Sequence, residues 1–206
     1  MKIVGNKWVF QVKYNPDGSI SRYKVRLVAK GFHQTHMIDY TETFSPVVKF
    51  SIVRVILSLA VLNHWVVRQV DVNNTFLNGI LIEDVYIAQP QGFVDPTKPT
   101  HICKLNKVLY GLKQALRAWF NRFKDVMISK WHFQHSRSNN SLFYTWNSGH
   151  LTIVLVYVDD IIITGSSPSM IQQVIQNINQ AFALKDLGEL HYFWGLKSAN
   201  LHKGFP

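Results

Sequence analysis

Leu151-Thr-Ile-Val-Leu-Val-Tyr-Val-Asp-Asp-Ile-Ile-Ile-Thr164 decides the fold. Two apolar, β-branched runs flank the adjacent acids Asp159 and Asp160. Each run is too short for a helix, so both read as buried strands. The two-residue connection then makes a hairpin with both acids in its turn, where aspartate tolerates the positive φ that such turns require. Carboxylates held side by side at the end of a buried hairpin repel each other and lose water. A bound divalent cation would remove that cost, although an ordinary solvated turn would also accept Asp-Asp. The hairpin alone leaves both readings open.

Outward from it, the chain alternates between strand and helix signals. Lys7 to Tyr14 alternates polar and apolar residues as a half-buried strand, Asn15-Pro-Asp-Gly-Ser19 is a turn, and Tyr23 to Lys30 resumes as a strand. Residues 34–48 are irregular. Phe50 to His64 carries apolar residues at helical spacing, and Trp65 to Val72 reads as a strand that contains Asp71 near its end. Phe76 to Gly79 is a short helical turn, Val85 to Ile87 a short strand, and residues 89–100 a loop rich in Pro and Gly. Gln114 to Lys130 and residues 168–183 have helical composition, and Leu187 to Leu196 reads as turn then strand. Hairpins mixed with helical connections indicate an α+β fold.

The 206 residues suffice for one large domain or two lobes, and 47% hydrophobic content excludes disorder. A net charge of +10 points to a polyanionic partner, nucleic acid before a membrane surface. The charge is segregated. Lys2, Lys7, Lys13, Arg22, Lys24, Arg26 and Lys30 face only Asp17 within residues 1–33, and residues 101–150 are similarly one-signed. The single cysteine, Cys103, excludes an internal disulfide and reads as a small core residue. There is no signal peptide and no apolar run of membrane-spanning length, so no membrane partner and an intracellular location are expected. The histidines lack zinc-ligand spacing.

Asp71, Asp159 and Asp160 thus stand at the ends of predicted strands. If they meet, the cluster is all-oxygen and suits magnesium rather than zinc or copper. Two such ions about 4 Å apart, beside basic segments, suit phosphoryl or nucleotidyl transfer on a nucleic acid.

Tyr157-Val-Asp-Asp160 resembles the active-site box of reverse transcriptases of copia-type LTR retrotransposons. The resemblance extends, in order, through Lys7-Trp-Val-Phe10, Arg22-Tyr-Lys-Val-Arg-Leu-Val-Ala-Lys-Gly31, Ile38-Asp-Tyr-Thr-Glu-Thr-Phe-Ser-Pro46 and Gln69-Val-Asp-Val-Asn-Asn-Thr-Phe-Leu-Asn-Gly79. Gln89-Pro-Gln-Gly-Phe93, Leu109-Tyr-Gly-Leu-Lys-Gln-Ala115 and Lys185-Asp-Leu-Gly-Glu-Leu190 continue it. A lone Tyr-Xaa-Asp-Asp is weak evidence, but this ordered series covers nearly the whole chain.

The resemblance implies a right-hand polymerase, with an antiparallel palm sheet, packed helices and fingers around a primer–template cleft. Fingers are expected at about 1–64 and 88–130, interleaved with palm at about 65–87 and 131–206. The implied function is RNA-directed DNA polymerase, a nucleotidyltransferase that joins dNTPs to a primer 3′-hydroxyl. Asp71, Asp159 and Asp160 would hold two Mg2+ ions, assisted by the carbonyl of Val72. Phe76 would be the gate against a ribose 2′-hydroxyl or a core ring. Gln114 would contact the nascent base pair or serve as a plain helix-start glutamine. Lys24, Arg26 and Lys30 would meet triphosphate or template phosphates, or form a solvated strand face. Tyr157 would pack beneath the primer terminus or fill the sheet. Phe193, Trp194 and Gly195 would grip the primer or belong to a plain strand.

Leu116, Thr35-His36-Met37, Asn139 and Trp194 depart from the family pattern, but none removes a metal ligand. Nothing in the chain resembles a thumb or an RNase H domain. The expected partners are therefore template, primer, dNTPs and the rest of a Pol polyprotein (RNase H, integrase), in cytoplasmic virus-like particles or the nucleus. A catalytically silent relic that keeps the fold and binds nucleic acid is the alternative.

Overall fold

The structure, a computed structural model, describes residues 3–190 and the backbone of 192–193 and 196–197. In chain order the elements are β1 (Ile3–Val4), β2 (Asn6–Tyr14), β3 (Ile20–Ala29), α1 (Phe50–Leu62), β4 (Val67–Val72), β5 (Tyr86–Ala88), β6 (Ile102–Lys104) and α2 (Ala115–Asp125). There follow β7 (Gln134–His135), β8 (Leu142–Asn147), β9 (His150–Tyr157), β10 (Asp160–Gly165), α3 (Pro168–Ala181), β11 (Leu184–Glu189), β12 (Tyr192–Phe193) and β13 (Leu196–Lys197). They form a mixed α/β chain that divides into two compact units. Unit one is Met1–Ser45 with Phe76–Arg122, and unit two is Pro46–Thr75 with Phe123–Pro206.

In unit one, β5 pairs in parallel with β1 and antiparallel with β6. Val4, Ala29, Val85, Ile87, Val108 and Leu112 are its buried core. The β2–β3 hairpin is tied in at its base, where the Ala29 N–H donates to the Tyr110 carbonyl at 2.7 Å and the Lys30 N–H to that of Gly5 at 2.7 Å. Gly111 permits this approach: it has φ +86°, and a Cβ there would collide with the Ala29 carbonyl oxygen.

Further out, the hairpin departs from the expected half-buried strand. Its register sets Trp8, Phe10, Val12, Tyr23, Val25 and Leu27 on one face, and Lys7, Lys13, Arg22, Lys24 and Arg26 on the other. The apolar face is outward as well, with Phe10 74% and Tyr23 72% exposed. Alternation in sequence reports that two faces differ, not that either is covered. Cys103 lies in β6 as expected, half-buried against the unit's core.

Unit two is built on an antiparallel six-stranded sheet, ordered β11-β4-β10-β9-β8-β7. Its central strands are apolar on both faces because both are covered. On one face Val53 and Leu57 of α1 pack with Val48, Leu155, Ile162 and Leu190. The buried positions of α1, at 53, 56, 57 and 60, are one helical stripe. On the other face α3 packs against β10. Pro168 starts α3 with its φ preset, and Ile171, Val174, Ile175 and Ile178 form the buried stripe. Each such side chain contributes roughly 1.5–3 kcal/mol. The rings of Phe143 and Phe182 lie 5.8 and 5.6 Å from that of Phe123.

Two further expectations are corrected. The helix expected over 114–130 is α-helical only to Asp125, then widens into a π-helical turn over Val126–Lys130. The turn expected at 187 lies within β11, which begins at Leu184 and carries a bulge between Asp186 and Gly188. The bulge absorbs Leu187, and Asp186 caps it by accepting from the Gly188 N–H at 2.9 Å. Among the described residues, no helix is long and apolar enough to cross a membrane.

Candidate functional site

The hairpin joining β9 and β10 is offset by one residue from the sequence expectation. Tyr157 pairs with Asp160, so the turn residues are Val158 and Asp159, and Asp160 already belongs to the ladder. The positive φ falls on Val158, at +56°, not on an aspartate. A β-branched residue there is strained by about 1–3 kcal/mol. The surrounding ladder enforces it: β10 is paired on both sides over its whole length up to Thr164.

This register decides which acids meet. Asp160 pairs directly with Asp71 of β4, and Asp71 pairs on its other side with Lys185 of β11. Lys185, Asp71, Asp160 and Tyr157 therefore form one row across four strands, on the face that α1 covers further down. The next row, with Gln69, Ile162 and Leu155, is buried. The carboxylates sit where a dry core meets solvent. Asp159 is exposed in the turn, and its carbonyl accepts the Val72 N–H at 2.8 Å, which fastens the hairpin to the end of β4.

The Gln69 Nε2 donates to Asp160 Oδ1 at 3.2 Å. Burial pushes the Asp160 carboxyl above its ordinary value of 3.8; the Gln69 hydrogen bond opposes this, and the charge of Asp159 adds to it. A cation would relieve both the desolvation and the repulsion. The donors fit a hard divalent ion: carboxylate oxygens of Asp71, Asp159 and Asp160, and the Val72 carbonyl. That carbonyl accepts from the Thr75 hydroxyl at 2.7 Å and retains a second lone pair. Among the described residues, no three Asp, Glu, His or Cys side chains converge as a ready-made ligand cluster. Thus the backbone brings the acids together, while their side chains do not close on a common point.

The remaining predicted residues are distributed as follows. Tyr157 is half-buried against the α1 cluster. In unit one, Phe76 stands edge-on to Tyr110, with ring centroids 5.0 Å apart, and packs on the unit's core. The Arg26 guanidinium lies 5.1 Å from the centroid of the same Tyr110 ring. Its Nε is buried without a hydrogen-bond partner. Lys24 and Lys30 are half-buried on and just after β3. Gln114 is 2% exposed. Its amide nitrogen donates to the Asp39 carbonyl at 3.0 Å, and its oxygen accepts from Gln34 Nε2 at 3.0 Å. The amide is thus committed to the 34–39 loop. Phe193 lies in β12, and Trp194 and Gly195 lie outside the described residues.

Sequence reasoning passed over Gln69, Lys185 and Tyr110. Gln69 had a signal: it stands two residues before Asp71, hence on the same face of a strand. Lys185 and Tyr110 had none, because only cross-strand pairing and the fold of the 109–112 turn bring them to their partners.

A sequence-family profile described as reverse transcriptase (RNA-dependent DNA polymerase) matches residues 1–205. The chain is 48% identical over 202 residues to the retrovirus-related Pol polyprotein from transposon RE1 of Arabidopsis thaliana, a match covering 98% of this chain and 14% of that protein. It is 45% identical over 202 residues to the corresponding RE2 polyprotein of the same plant, with the same coverage. It is 42% identical over 191 residues to the Pol polyprotein from transposon TNT 1-94 of Nicotiana tabacum, covering 93% of this chain and 14% of that one. The chain thus spans about one-seventh of the length of these relatives, and the resemblance read from the ordered blocks is borne out. By the extent of the profile match and these identities, the chain belongs to the reverse transcriptase (RNA-dependent DNA polymerase) family.

Proposed function

We propose that this chain is the polymerase portion of a retrotransposon Pol polyprotein and performs RNA-directed DNA synthesis, with unit two as palm and unit one as fingers. The observation that carries the reading is the direct pairing of Asp71 with Asp160, beside a turn that presents Asp159. In this reading Asp71, Asp159 and Asp160, with the Val72 carbonyl, hold two Mg2+ ions. When bound, those ions supply charge stabilisation for the attacking primer 3′-hydroxyl and the departing pyrophosphate.

The chain's own residues position the reactants. Val158 is held in its strained turn by pairing on both sides of β10, which keeps Asp159 at the tip. Gln69 orients the Asp160 carboxylate. Tyr157, in the same row, would support the primer terminus. Phe76, braced by Tyr110, would exclude a ribose 2′-hydroxyl from the dNTP sugar position. Lys24, Arg26 and Lys30 would meet triphosphate or template phosphates. Gln114 would act toward the nascent base pair by holding the 34–39 loop. Phe193, Trp194 and Gly195 would contact the primer backbone. The fingers expected at about 1–64 and 88–130 would correspond to unit one, and the palm expected at about 65–87 and 131–206 to unit two.

Primer extension on poly(rA)/oligo(dT) with magnesium tests this, comparing wild type with Asp159→Asn. Incorporation by the wild type alone supports it, and equal incorporation by both proteins would remove the acids from catalysis. Retained nucleic-acid binding without incorporation by either protein would identify a silent relic.

A further inference from the structure

The β2–β3 hairpin leaves in solvent the face that a strand pair ordinarily buries. Trp8, Phe10, Val12 and Tyr14 alternate onto one side of β2, and their cross-strand partners Leu27, Val25, Tyr23 and Ile20 complete the face. At its base the face is covered. There the Trp8 indole N–H donates to the Gln91 carbonyl at 2.9 Å, and its ring lies 5.7 Å from that of Phe93. Beyond Trp8 the face is open, with Phe10, Tyr14 and Tyr23 74%, 63% and 72% exposed, and Phe93 itself 71% exposed.

A fully buried ring removes about 150–250 Å² from water, so these four rings leave roughly 400–700 Å² of aromatic surface in solvent. Val25 and Ile20, both half exposed, add to it. Contiguous apolar patches of this size mark an interaction surface, and a two-stranded ribbon without a covering layer is marginal in water.

The chemistry of the face selects an apolar occupant. None of its residues is charged, whereas Lys7, Lys13, Arg22, Lys24 and Arg26 all project from the reverse face. Phosphates would therefore gather on the reverse face, away from the rings. Valine and isoleucine also interrupt the face, so it offers bases no continuous stacking platform.

The pattern of sizes narrows the choice. Each of the two central pairs sets an aromatic ring beside a valine, Phe10 with Val25 and Tyr23 with Val12, so the rings lie on one diagonal. Two copies laid face to face about a twofold axis in the plane between them, along or across the strands, place each of these rings over a valine of the other. Large over small is the packing that fills the roughly 10 Å between stacked sheets. Two copies would bury about 1,000–1,400 Å² in total, enough for a specific interface. Their basic faces would point outward, which keeps apart the cations of two chains of net charge +10.

We infer that the apolar face of the β2–β3 hairpin docks a second copy of this chain, forming a twofold, four-stranded sandwich. The interface leaves the basic face of each hairpin open and does not depend on catalysis at the acids.

Sedimentation velocity on the full chain, from about 1 to 200 μM, is the test. The wild type should pass from monomer to dimer within this range, as suits an interface at the lower end of specific sizes. Raising sodium chloride to about 0.5 M should strengthen the dimer by screening like charges. Phe10→Ser and Tyr23→Ser should each weaken association about tenfold or more. Because both rings are exposed, the melting temperature at the lowest concentration should stay close to that of the wild type. Lys13→Ser, on the reverse face, should leave association unchanged or slightly stronger. A monomer at every concentration, or a dimer that Phe10→Ser and Tyr23→Ser leave intact, would overturn the proposal. So would a monomeric wild type whose binding of a single-stranded oligonucleotide is lost in Tyr23→Ser, which would give the face to nucleic acid. None of these readouts involves incorporation, so failure here leaves the primer-extension result untouched.

Discussion

Asp71 and Asp160 are direct cross-strand partners in the β4–β10 ladder, with their side chains on one face. Their backbones lie about 4.5–5.5 Å apart, although nearly ninety residues separate them in the chain. Asp71→Asn and Asp160→Asn should each lower nucleotide incorporation by roughly 10³-fold. Binding of primer–template, measured by fluorescence anisotropy, should change little. A comparable loss of binding would assign the acids to grip rather than to chemistry.

The same carboxyl makes a prediction about stability. The folded chain holds Asp160 above the ordinary value of 3.8, chiefly through burial. The native state therefore binds more protons than the unfolded one just above that value, and stability falls as pH rises through this window. Above it the penalty is constant. Asp160→Asn should accordingly raise the melting temperature at neutral pH, with the gain shrinking as pH falls toward and below 3.8. Asp186 should behave oppositely. Its hydrogen bond and ion pair with Arg68, at 2.6 Å, lower its pKa, so its contribution is present above 3.8 and lost as pH falls through the lowered value. Asp186→Asn should therefore cost about 0.5–1 kcal/mol at neutral pH and nothing in strong acid. Thermal melts across the acid range separate the two signs.

Val158 carries a conformation that glycine adopts freely. Val158→Gly should stabilise the fold or leave it unchanged, because relief of about 1–3 kcal/mol of strain offsets the added freedom of the unfolded chain. Incorporation should nevertheless fall, since the rigid turn holds Asp159. A variant both more stable and fully active would show that the strain has no part in catalysis.

Gly165 ends β10, paired with Thr152 of β9. A Cβ there would collide with the Leu151 carbonyl oxygen and crowd the Thr152 Cα at 3.0 Å. Backbone cannot swing aside as a flexible side chain can, so Gly165→Ala should destabilise unit two by about 2–3 kcal/mol. A shift of the urea midpoint at unchanged slope is the expected signature.

Phe76 and Tyr110 form one braced pair, with Arg26 over the same tyrosine ring. Phe76→Ala should raise ribonucleotide incorporation relative to deoxyribonucleotide by about 10²-fold. Tyr110→Ala should have a smaller effect in the same direction, through loss of support. Competitive single-nucleotide extension measures both, and unaltered selectivity in Phe76→Ala would reduce that ring to a core residue.

Much of this was legible in residues alone. The helical stripe over 50–64, the helical composition of 168–183, turn chemistry at 15–19 and the ordered blocks identified the elements and the family. The acid-bearing strands were legible too, because β-branched runs bounded by acids have few other conformations. Their register was not. Both flanks of Asp159 and Asp160 place apolar residues on both faces of the sheet because helices cover both, so no alternation marks which residue enters the ladder. A one-residue offset exchanges the faces. Only pairing with β4 sets Asp160 beside Asp71, leaves Asp159 in the turn and transfers the positive φ to Val158. Gln114 shows the same limit, since its burial beside Gln34 and Asp39 comes from residues some 75–80 positions away. Composition and local pattern determined what each segment is, and long-range backbone pairing decided which side chains meet.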